Sequence, residues 1–268
     1  MSAMFQELDY RKTPIGELSL RARRDVRSGD TIYEIKLGEE YLMSSLFTES
    51  EVALGRLGVQ ELLAPSPDDH SRAAGTAPCV AAPSDTAPAG ATPSGTGLHV
   101  VVGGLGLGYT ARAVLESPLV ASVTVVDYLE AVIDWHRQGL LPLGVELTAD
   151  PRCHFVHGDF FAIADSQAGF DPAQPGRQFD AIVLDIDHSP ELHLDAGNAR
   201  LYQPAGLARL AQHLLPGGVF GLWSNEPADP GFIRRLQGSF SQARGENITF
   251  YNPLQDRDFT QSVYLARK

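Results

Sequence analysis

The second part of the chain alternates between short apolar runs and helix-like segments, and this pattern restricts the possible folds most strongly. The apolar runs lie at residues 98–102, 122–126, 153–156, 179–184 and 219–223, and the helix-like segments at 109–116, 129–138 and 205–215. Strands that are apolar throughout are buried on both faces, and a parallel sheet covered by helices on both sides provides that burial. We therefore predict an α/β fold with a doubly wound, mostly parallel sheet.

Further strand signals lie at the two ends of the chain. Residues 247–251 and 262–266 predict a closing hairpin, which brings the sheet to seven strands and adds an antiparallel strand at an edge. Near the start, residues 16–23 alternate between apolar and polar, and residues 32–43 predict a hairpin. A helix is expected after Thr48 or Ser50. A region of two or three strands is rarely stable alone. We therefore expect this small N-terminal β-hairpin region to pack on the larger part.

The two parts are separated by a segment of unusual composition. Of the 34 residues at 64–97, 27 are Ala, Pro, Ser, Thr or Gly, and none is aromatic. Such a segment buries too little apolar surface to offset its conformational entropy. We therefore predict a disordered linker at 64–97 between an N-terminal region at 1–63 and a larger domain at 98–268.

The charge and the cysteine count exclude several classes of protein. The chain has 21 Lys and Arg against 33 Asp and Glu, a net charge of −12, which argues against nucleic acid and membrane surfaces as partners. Two cysteines cannot form a disulfide framework or a thiolate zinc site, and no His spacing indicates a metal ligand. Without a signal pattern or a long apolar run, a cytoplasmic protein without a metal is expected.

Glycines and aspartates follow the predicted strands, at the edge of the sheet where ligands bind. Gly104, Gly106 and Gly108 follow the first strand, and such a loop allows close approach of the backbone to a ligand, although it is also ordinary turn chemistry. Asp127 ends the second strand, where it either binds ribose hydroxyls or caps a helix. Loop and acid together indicate an adenosine-type nucleoside, so NAD and S-adenosylmethionine (SAM) compete.

Two more aspartates follow the third and fourth strands. The carboxylate of Asp159 is placed to accept a hydrogen bond from the exocyclic amine of adenine, and Phe160 is placed to stack on the adenine ring. The alternative is an ordinary turn, because Gly-Asp is common in turns. Asp185 lies where a substrate would meet the reactive carbon of the cofactor. Acids at successive strand ends favour the SAM type of sheet over the NAD type.

Residues 101–226 resemble the spermidine synthase (polyamine aminopropyltransferase) family of the SAM-dependent methyltransferase superfamily. The similar segments are residues 101–108 (VVGGLGLG), 125–130 (VVDYLE), 150–152 (DPR), 157–159 (HGD), 179–185 (FDAIVLD), 201–202 (LY), 215–218 (LPGG) and 224–226 (SNE). The first 63 residues are similar more loosely, through their strands and through residues 47–51, which stand where the family has Tyr-His-Glu. The resemblance implies a class I SAM-dependent methyltransferase-like Rossmann fold.

The resemblance also implies a site. Decarboxylated SAM would lie on the glycine loop, with Asp127 on the ribose and Asp159 on the adenine. An acid after the fourth strand would help remove a proton from a polyamine, for which Asp185, Asp187 and His188 are candidates. Tyr202 and Glu226 are candidate substrate-binding residues, and a homodimer is possible because family members often dimerise.

The sequence departs from the family at three places. Gly106 replaces the aspartate that meets the ammonium of the aminopropyl group, and residues 48–51 lack the family's histidine. Residues 185–190 (DIDHSP) are one residue longer than the family segment, so either Asp187 or His188 takes the position of its second aspartate. An imidazole there would also suit a methyltransferase.

Three functions therefore remain open. The first is transfer of an aminopropyl group from decarboxylated SAM to an amine acceptor. The second is SAM-dependent methylation of a small molecule, and the third is nucleoside binding without catalysis.

Overall fold

The computed structural model describes residues 5–26, 28–64 and 97–268 of the 268-residue chain. Most of the predicted linker, residues 65–96, lies outside the described residues. The N-terminal elements are β1 Phe5–Thr13, β2 Gly16–Arg24, β3 Thr31–Leu37, β4 Glu40–Ser44 and α1 Glu49–Leu63. The second part contains β5 Leu98–Gly103, α2 Tyr109–Leu115, β6 Val120–Asp127, α3 Glu130–Arg137, α4 Gly144–Ala149, β7 Cys153–His157, α5 Phe160–Asp165, β8 Phe179–Leu184, a 3₁₀ helix at Ala196–Arg200, α6 Pro204–Gln212, β9 Leu214–Ser224, α7 Pro230–Gln237, β10 Gln242–Asn252 and β11 Arg257–Arg267.

The large sheet has seven strands in the order β10-β11-β9-β8-β5-β6-β7. Strands β5 to β9 pair in parallel, while β11 runs antiparallel to both β9 and β10. The predicted doubly wound, mostly parallel sheet is therefore confirmed. The antiparallel strand lies one position inside the edge, because the closing hairpin inserts β11 between β9 and β10.

The N-terminal region is a four-stranded antiparallel sheet in the order β1-β2-β3-β4. The sequence indicated β2, β3 and β4 but not β1. Strand β1 (FQELDYRKT) is exposed or half-buried along its whole length, so it carries no alternation of apolar and polar residues. The small β region is thus one strand larger than expected.

One helix and one strand meet at a different place from the one predicted. Helix α6 ends at Gln212, and β9 already begins at Leu214, which pairs with Phe179. The register then shifts before Ala181 pairs with Val219, so residues 216–218 form an irregularity inside β9. The Pro-Gly-Gly signal therefore marks a bulge in the strand and not the end of the helix.

Helix α1 follows β4 in the chain and packs on α2 and on strands β8, β9 and β11 of the large sheet. The approach to α2 requires Gly55, since a Cβ there would lie 2.6 Å from the carbonyl oxygen of Thr110. This docking brings the first turn of α1 to the carboxyl end of β8. No helix in the described ranges has the length and apolar character needed to cross a membrane.

Candidate active site

A cavity of about 390 Å³ lies between the carboxyl ends of the central strands and the N-terminal sheet, within the size range of small-molecule sites. Seven of the predicted site residues line it: Gly104, Gly106, Asp127, Asp159, Phe160, Asp185 and His188. Four others, Gly108, Asp187, Tyr202 and Glu226, are not in its walls. The structure therefore brings together the nucleoside-site residues and separates several of the predicted substrate-site residues from them.

The glycine loop after β5 is held in a conformation that favours glycine. Gly104 has φ +91°, and a Cβ there would collide with the carbonyl oxygen of Asp185. Gly106 has φ +47°, and a Cβ would lie 2.7 Å from Sδ of Met43. The amide of Leu107 donates to the same sulfur at 3.1 Å, so strand β4 contacts the loop directly. Gly108 is buried below the loop and packs away from the cavity.

Asp127 joins the glycine loop to the end of β6. Its Oδ2 accepts a hydrogen bond from the Leu105 amide at 2.8 Å, and its Oδ1 accepts one from the Leu129 amide at 2.7 Å. Burial raises the pKa of this carboxyl, whose side chain is only slightly exposed to the cavity. Each carboxylate oxygen can accept a second hydrogen bond, so Asp127 can hold the loop and also bind hydroxyl groups.

Asp159 has one oxygen engaged and one open. Its Oδ1 caps helix α5 by accepting from the amides of Phe161 and Ala162 at 2.9 and 3.1 Å. Within the described part of the chain its Oδ2 has no hydrogen bond. Asp159 can therefore cap the helix and still accept a hydrogen bond from a ligand in the cavity. The ring of Phe160 is 1% exposed and packs against Phe161 and Phe170. It therefore supports the cavity from below and does not present a free face for stacking.

Two carboxyl groups share the inner end of the cavity. Asp185 follows β8, and its Oδ2 accepts from the hydroxyl of Thr110 at 2.7 Å. Glu51 comes from the first turn of α1 and is 7% exposed. Its Oε2 lies 2.9 Å from the Ser50 hydroxyl, which in turn accepts from Nε1 of Trp223 at 2.8 Å.

Burial raises the proton affinity of both carboxyl groups. Burial, reinforced by the charge of Asp185, raises the pKa of Glu51 to about 8. Burial also raises the pKa of Asp185, to about 6, although the Thr110 hydrogen bond opposes the shift. Between these values the pair holds one proton and carries one negative charge, an arrangement typical of acid–base sites.

Asp187 is buried behind the cavity wall and is 1% exposed. Its Oδ1 accepts from the Leu194 amide at 2.8 Å and from Nδ2 of Asn198 at 2.9 Å. Its Oδ2 accepts from the hydroxyl of Tyr202 at 2.7 Å, and Tyr202 is itself fully buried. Asp187 therefore organises the segment after β8 and does not line the cavity, whereas its neighbour His188 does.

His188 is the residue of this segment that reaches the mouth of the cavity. Its Nε2 lies 2.6 Å from Oε1 of Glu40, which belongs to strand β4. Glu226 is exposed beyond the end of β9, and its carbonyl oxygen accepts from the Ser262 hydroxyl. The mouth thus carries an imidazole–carboxylate contact that the sequence alone did not indicate.

Sequence reasoning did not select Glu51, Thr110 and Met43 as site residues. The resemblance of residues 47–51 to a family motif was the available signal for Glu51. For Met43 no signal existed, because it depends on how β4 meets the glycine loop. Among the described residues no group of three or more His, Cys, Asp and Glu side chains is arranged to hold a metal ion.

The chain thus combines an α/β fold, built on a mostly parallel seven-stranded sheet, with a cavity lined by acids at the strand ends. A family model, the spermine/spermidine synthase domain, matches residues 93–236, and the chain belongs to this family. The resemblance stated from the sequence is thereby confirmed. A search of curated proteins finds no match.

Solved structures of spermidine synthases have the same fold. A spermidine synthase in complex with the transition state analogue AdoDATO is 16% identical, with a TM-score of 0.63 over 98% of this chain and 72% of that chain. The enzyme from Thermotoga maritima is 17% identical, with a TM-score of 0.63 over 98% and 73%. A probable spermidine synthase from Corynebacterium glutamicum is 13% identical, with a TM-score of 0.57 over 97% and 79%.

Proposed function

We propose that this protein is a spermidine synthase-like transferase that moves an aminopropyl group from decarboxylated SAM to an amine. Family membership supports the transferase class. The observation that carries the proposal is the pair of buried carboxyl groups, Glu51 and Asp185, beside the glycine loop. The negative charge that this pair carries attracts a cationic amine, and the pair can take up the proton that the amine must lose.

The nucleoside end of the cavity fits the co-substrate. Asp127 retains acceptor capacity for ribose hydroxyls, and the open Oδ2 of Asp159 suits the amino group of adenine. Gly104 and Gly106 line the cavity next to these acids. The relative that contains AdoDATO supports a nucleoside of this kind. When bound, decarboxylated SAM supplies an electrophilic carbon next to its sulfonium.

We assign the proton transfer to Asp185. An alkyl amine resembles the lysine side chain and is protonated at neutral pH, so a base must remove a proton before nitrogen can attack. Asp185 lines the cavity and is ionised above about pH 6 while Glu51 still holds its proton. Asp187, enclosed by three donors, becomes a positioning residue in this proposal, and Tyr202 supports it.

Methyl transfer from SAM is the second candidate, favoured by one observation. The loop has Gly106 and the thioether of Met43 where family members place the aspartate that meets the aminopropyl ammonium. The missing carboxylate removes a reason to prefer the decarboxylated co-substrate. Nucleoside binding without catalysis is the third outcome that the experiment must separate.

Mass spectrometry of the nucleoside product distinguishes these functions. The protein is incubated with decarboxylated SAM or SAM and a panel of amines. Methylthioadenosine supports aminopropyl transfer, and S-adenosylhomocysteine supports methyl transfer. Cofactor binding by calorimetry with neither product leaves the non-catalytic function.

Two variants test the assigned residues. Asp185→Asn is expected to slow turnover by about a hundredfold or more with nucleoside binding retained, because it removes the base. Asp127→Ala is expected to abolish nucleoside binding. The control is Asp258→Asn, an exposed position on β11. Full turnover by the Asp185 variant, or full affinity in the Asp127 variant, would remove that residue from the site.

The division of the chain into an N-terminal region at 1–63, a linker at 64–97 and a catalytic domain at 98–268 is part of this proposal. The described part of the N-terminal region supplies one wall of the site. The cytoplasmic location and the homodimer stay predictions from the sequence.

A further inference from the structure

The hydroxyl of Ser50 is a junction of three hydrogen-bonding groups beside Glu51. Ser50 is fully buried, and its oxygen accepts from Nε1 of Trp223 at 2.8 Å. The same oxygen lies 2.6 Å from Oε1 of Gln261 and 2.9 Å from Oε2 of Glu51. Gln261 is a buried residue of β11, so the last strand of the sheet reaches a group that contacts the cavity carboxyl.

One hydroxyl cannot donate to both Gln261 and Glu51. Serine has one O–H hydrogen and two lone pairs, and an indole nitrogen can only donate, so Trp223 occupies one lone pair of Ser50. One hydrogen and one lone pair remain for the other two partners. If Ser50 donates to Gln261, then Glu51 has to supply the hydrogen of its own contact with Ser50, which requires a protonated carboxyl group.

The orientation of the Gln261 amide decides where the Ser50 hydrogen goes. Nε2 of Gln261 donates to Oδ1 of Asn225 at 2.8 Å, so the amide oxygen faces Ser50, and an amide oxygen can only accept. The distance of 2.6 Å to this oxygen is also the shorter of the two. The Ser50 hydrogen therefore points to Gln261, and the hydrogen of the Glu51 contact belongs to Glu51.

Asp185 has the opposite surroundings. Its Oδ2 faces the hydroxyl of Thr110 at 2.7 Å, whereas the same hydroxyl lies 3.4 Å from the carbonyl oxygen of Glu51. The shorter contact takes the hydrogen, and a donor stabilises the ionised form of a carboxyl group. One acid of the pair thus faces a donor and the other faces an acceptor. The higher pKa of Glu51, about 8 against about 6 for Asp185, agrees with this difference.

We propose that Gln261 is a positioning residue for the candidate active site, which acts through Ser50 to keep a hydrogen on Glu51. Glu51 is then the neutral member of the carboxyl pair, and Asp185 is the anionic member that takes up the proton of the amine. The inference rests on the proposed function for the role of Asp185. The placement of the hydrogen rests on the contacts of the two acids.

Ionisable groups from several elements face Glu51. Asp185 faces it from the end of β8 and Tyr109 from the start of α2, while Glu49 lies in the same turn of α1. A substitution of Gln261 changes none of these groups. A shift in the titration of Glu51 in such a variant therefore reports on the junction at Ser50.

Infrared spectroscopy of the full chain locates the hydrogen without any substrate. A protonated carboxyl group has a carbonyl band that a carboxylate lacks. Spectra are recorded at pH 7, between the pKa values of the two acids, for wild type, Glu51→Gln and Asp185→Asn. The band is expected to weaken in Glu51→Gln and to remain in Asp185→Asn. A band that keeps its full intensity in Glu51→Gln overturns the inference.

Two substitutions of Gln261 test how the hydrogen is held. Gln261→Met keeps the length of the side chain but offers only a weak sulfur acceptor, so the Ser50 hydrogen turns to Glu51 and stabilises its carboxylate. The pH midpoint of the Glu51 band should fall by about one pH unit or more. Gln261→Glu still presents an oxygen to Ser50, so the midpoint should not fall in that variant.

A matched substitution on the neighbouring strand is the control. Gln242→Met removes an exposed amide of β10 and should leave the midpoint unchanged. Circular dichroism checks the fold of each variant, and Gln261→Leu removes the same acceptor if the methionine variant does not fold. An unchanged midpoint in a folded variant that lacks the Gln261 acceptor contradicts the proposed role.

Failure of the proposed function has a different signature. If no amine yields methylthioadenosine while Gln261→Met lowers the midpoint, the transferase chemistry is wrong and the role of Gln261 stands. If methylthioadenosine forms and the midpoint does not move, the chemistry stands and the role of Gln261 is wrong.

Discussion

Replacing Glu51 by Gln should stabilise the folded protein, and increasingly so as pH rises. Burial and Asp185 raise the pKa of Glu51 from 4.5 to about 8, so the folded state holds this proton more tightly than the unfolded state. The corresponding stability is fully present below pH 4.5 and is lost as pH rises through about 8. Gln has the shape of the protonated acid and cannot ionise, so it keeps this stability at every pH.

The magnitude follows from the size of the shift. At pH 7 the wild-type protein is 2.5 units above 4.5, and each unit corresponds to about 1.4 kcal/mol, which gives a gain of about 3 kcal/mol for Glu51→Gln. For a chain of this size that gain raises the Tm by roughly 6–12 °C. The gain should shrink toward zero near pH 4.5.

Urea unfolding between pH 5 and pH 9 measures this dependence. Glu49→Gln is the matched control, because it removes a charge from the same first turn of α1 at an exposed position. Its effect should stay within about 0.5 kcal/mol. A pH-independent difference between the Glu51 variant and wild type, or destabilisation at pH 8, would refute the description of Glu51 as a buried acid coupled to Asp185.

Two further changes test groups behind the cavity wall. Asp187→Ala leaves the Tyr202 hydroxyl and two other donors without their acceptor, so it should lower the free energy of unfolding in urea by about 3 kcal/mol. It should also slow turnover more than it weakens nucleoside binding. A loss of nucleoside affinity with turnover retained would contradict the positioning role. Burial lowers the pKa of His136 to about 4, so the unfolded state gains a proton from pH 6.5 downward and the folded state does not. Between pH 7 and pH 5 the stability of wild type relative to a His136→Phe variant should therefore fall by about 2 kcal/mol. Parallel pH curves for the two proteins would show that His136 is protonated in the fold.

Much of the fold was predictable because burial on both faces leaves a continuous apolar run in each parallel strand. That signal is absent from β1, whose side chains face solvent or half-buried surroundings, so this strand was missed. The bulge in β9 was missed because Pro-Gly-Gly marks a helix end and a strand irregularity equally well.

The site was predictable only where strand ends determine position. Asp127 and Asp185 reach the cavity because parallel strands bring their carboxyl ends to one edge. Asp187 follows Asp185 by two residues but points into the protein, since side-chain direction in an irregular segment depends on its tertiary partners. The contribution of Glu51 depends on the docking of α1 against α2 at Gly55, a contact between distant parts of the chain.

The docking of helix α1 has a consequence for the order of events during synthesis. Its first turn is bonded to the last strand, since the hydroxyl of Ser50 reaches the side-chain oxygen of Gln261 across 211 residues. Near its other end, Glu61 contacts Arg267 of the same strand. A nascent chain that has not yet released β11 therefore lacks these contacts at both ends of α1, although both Glu51 and Asp185 have already been made. Acquisition of catalytic competence should coincide with release of this strand from the ribosome, so the time at which nucleoside-dependent activity begins would report the completion of folding.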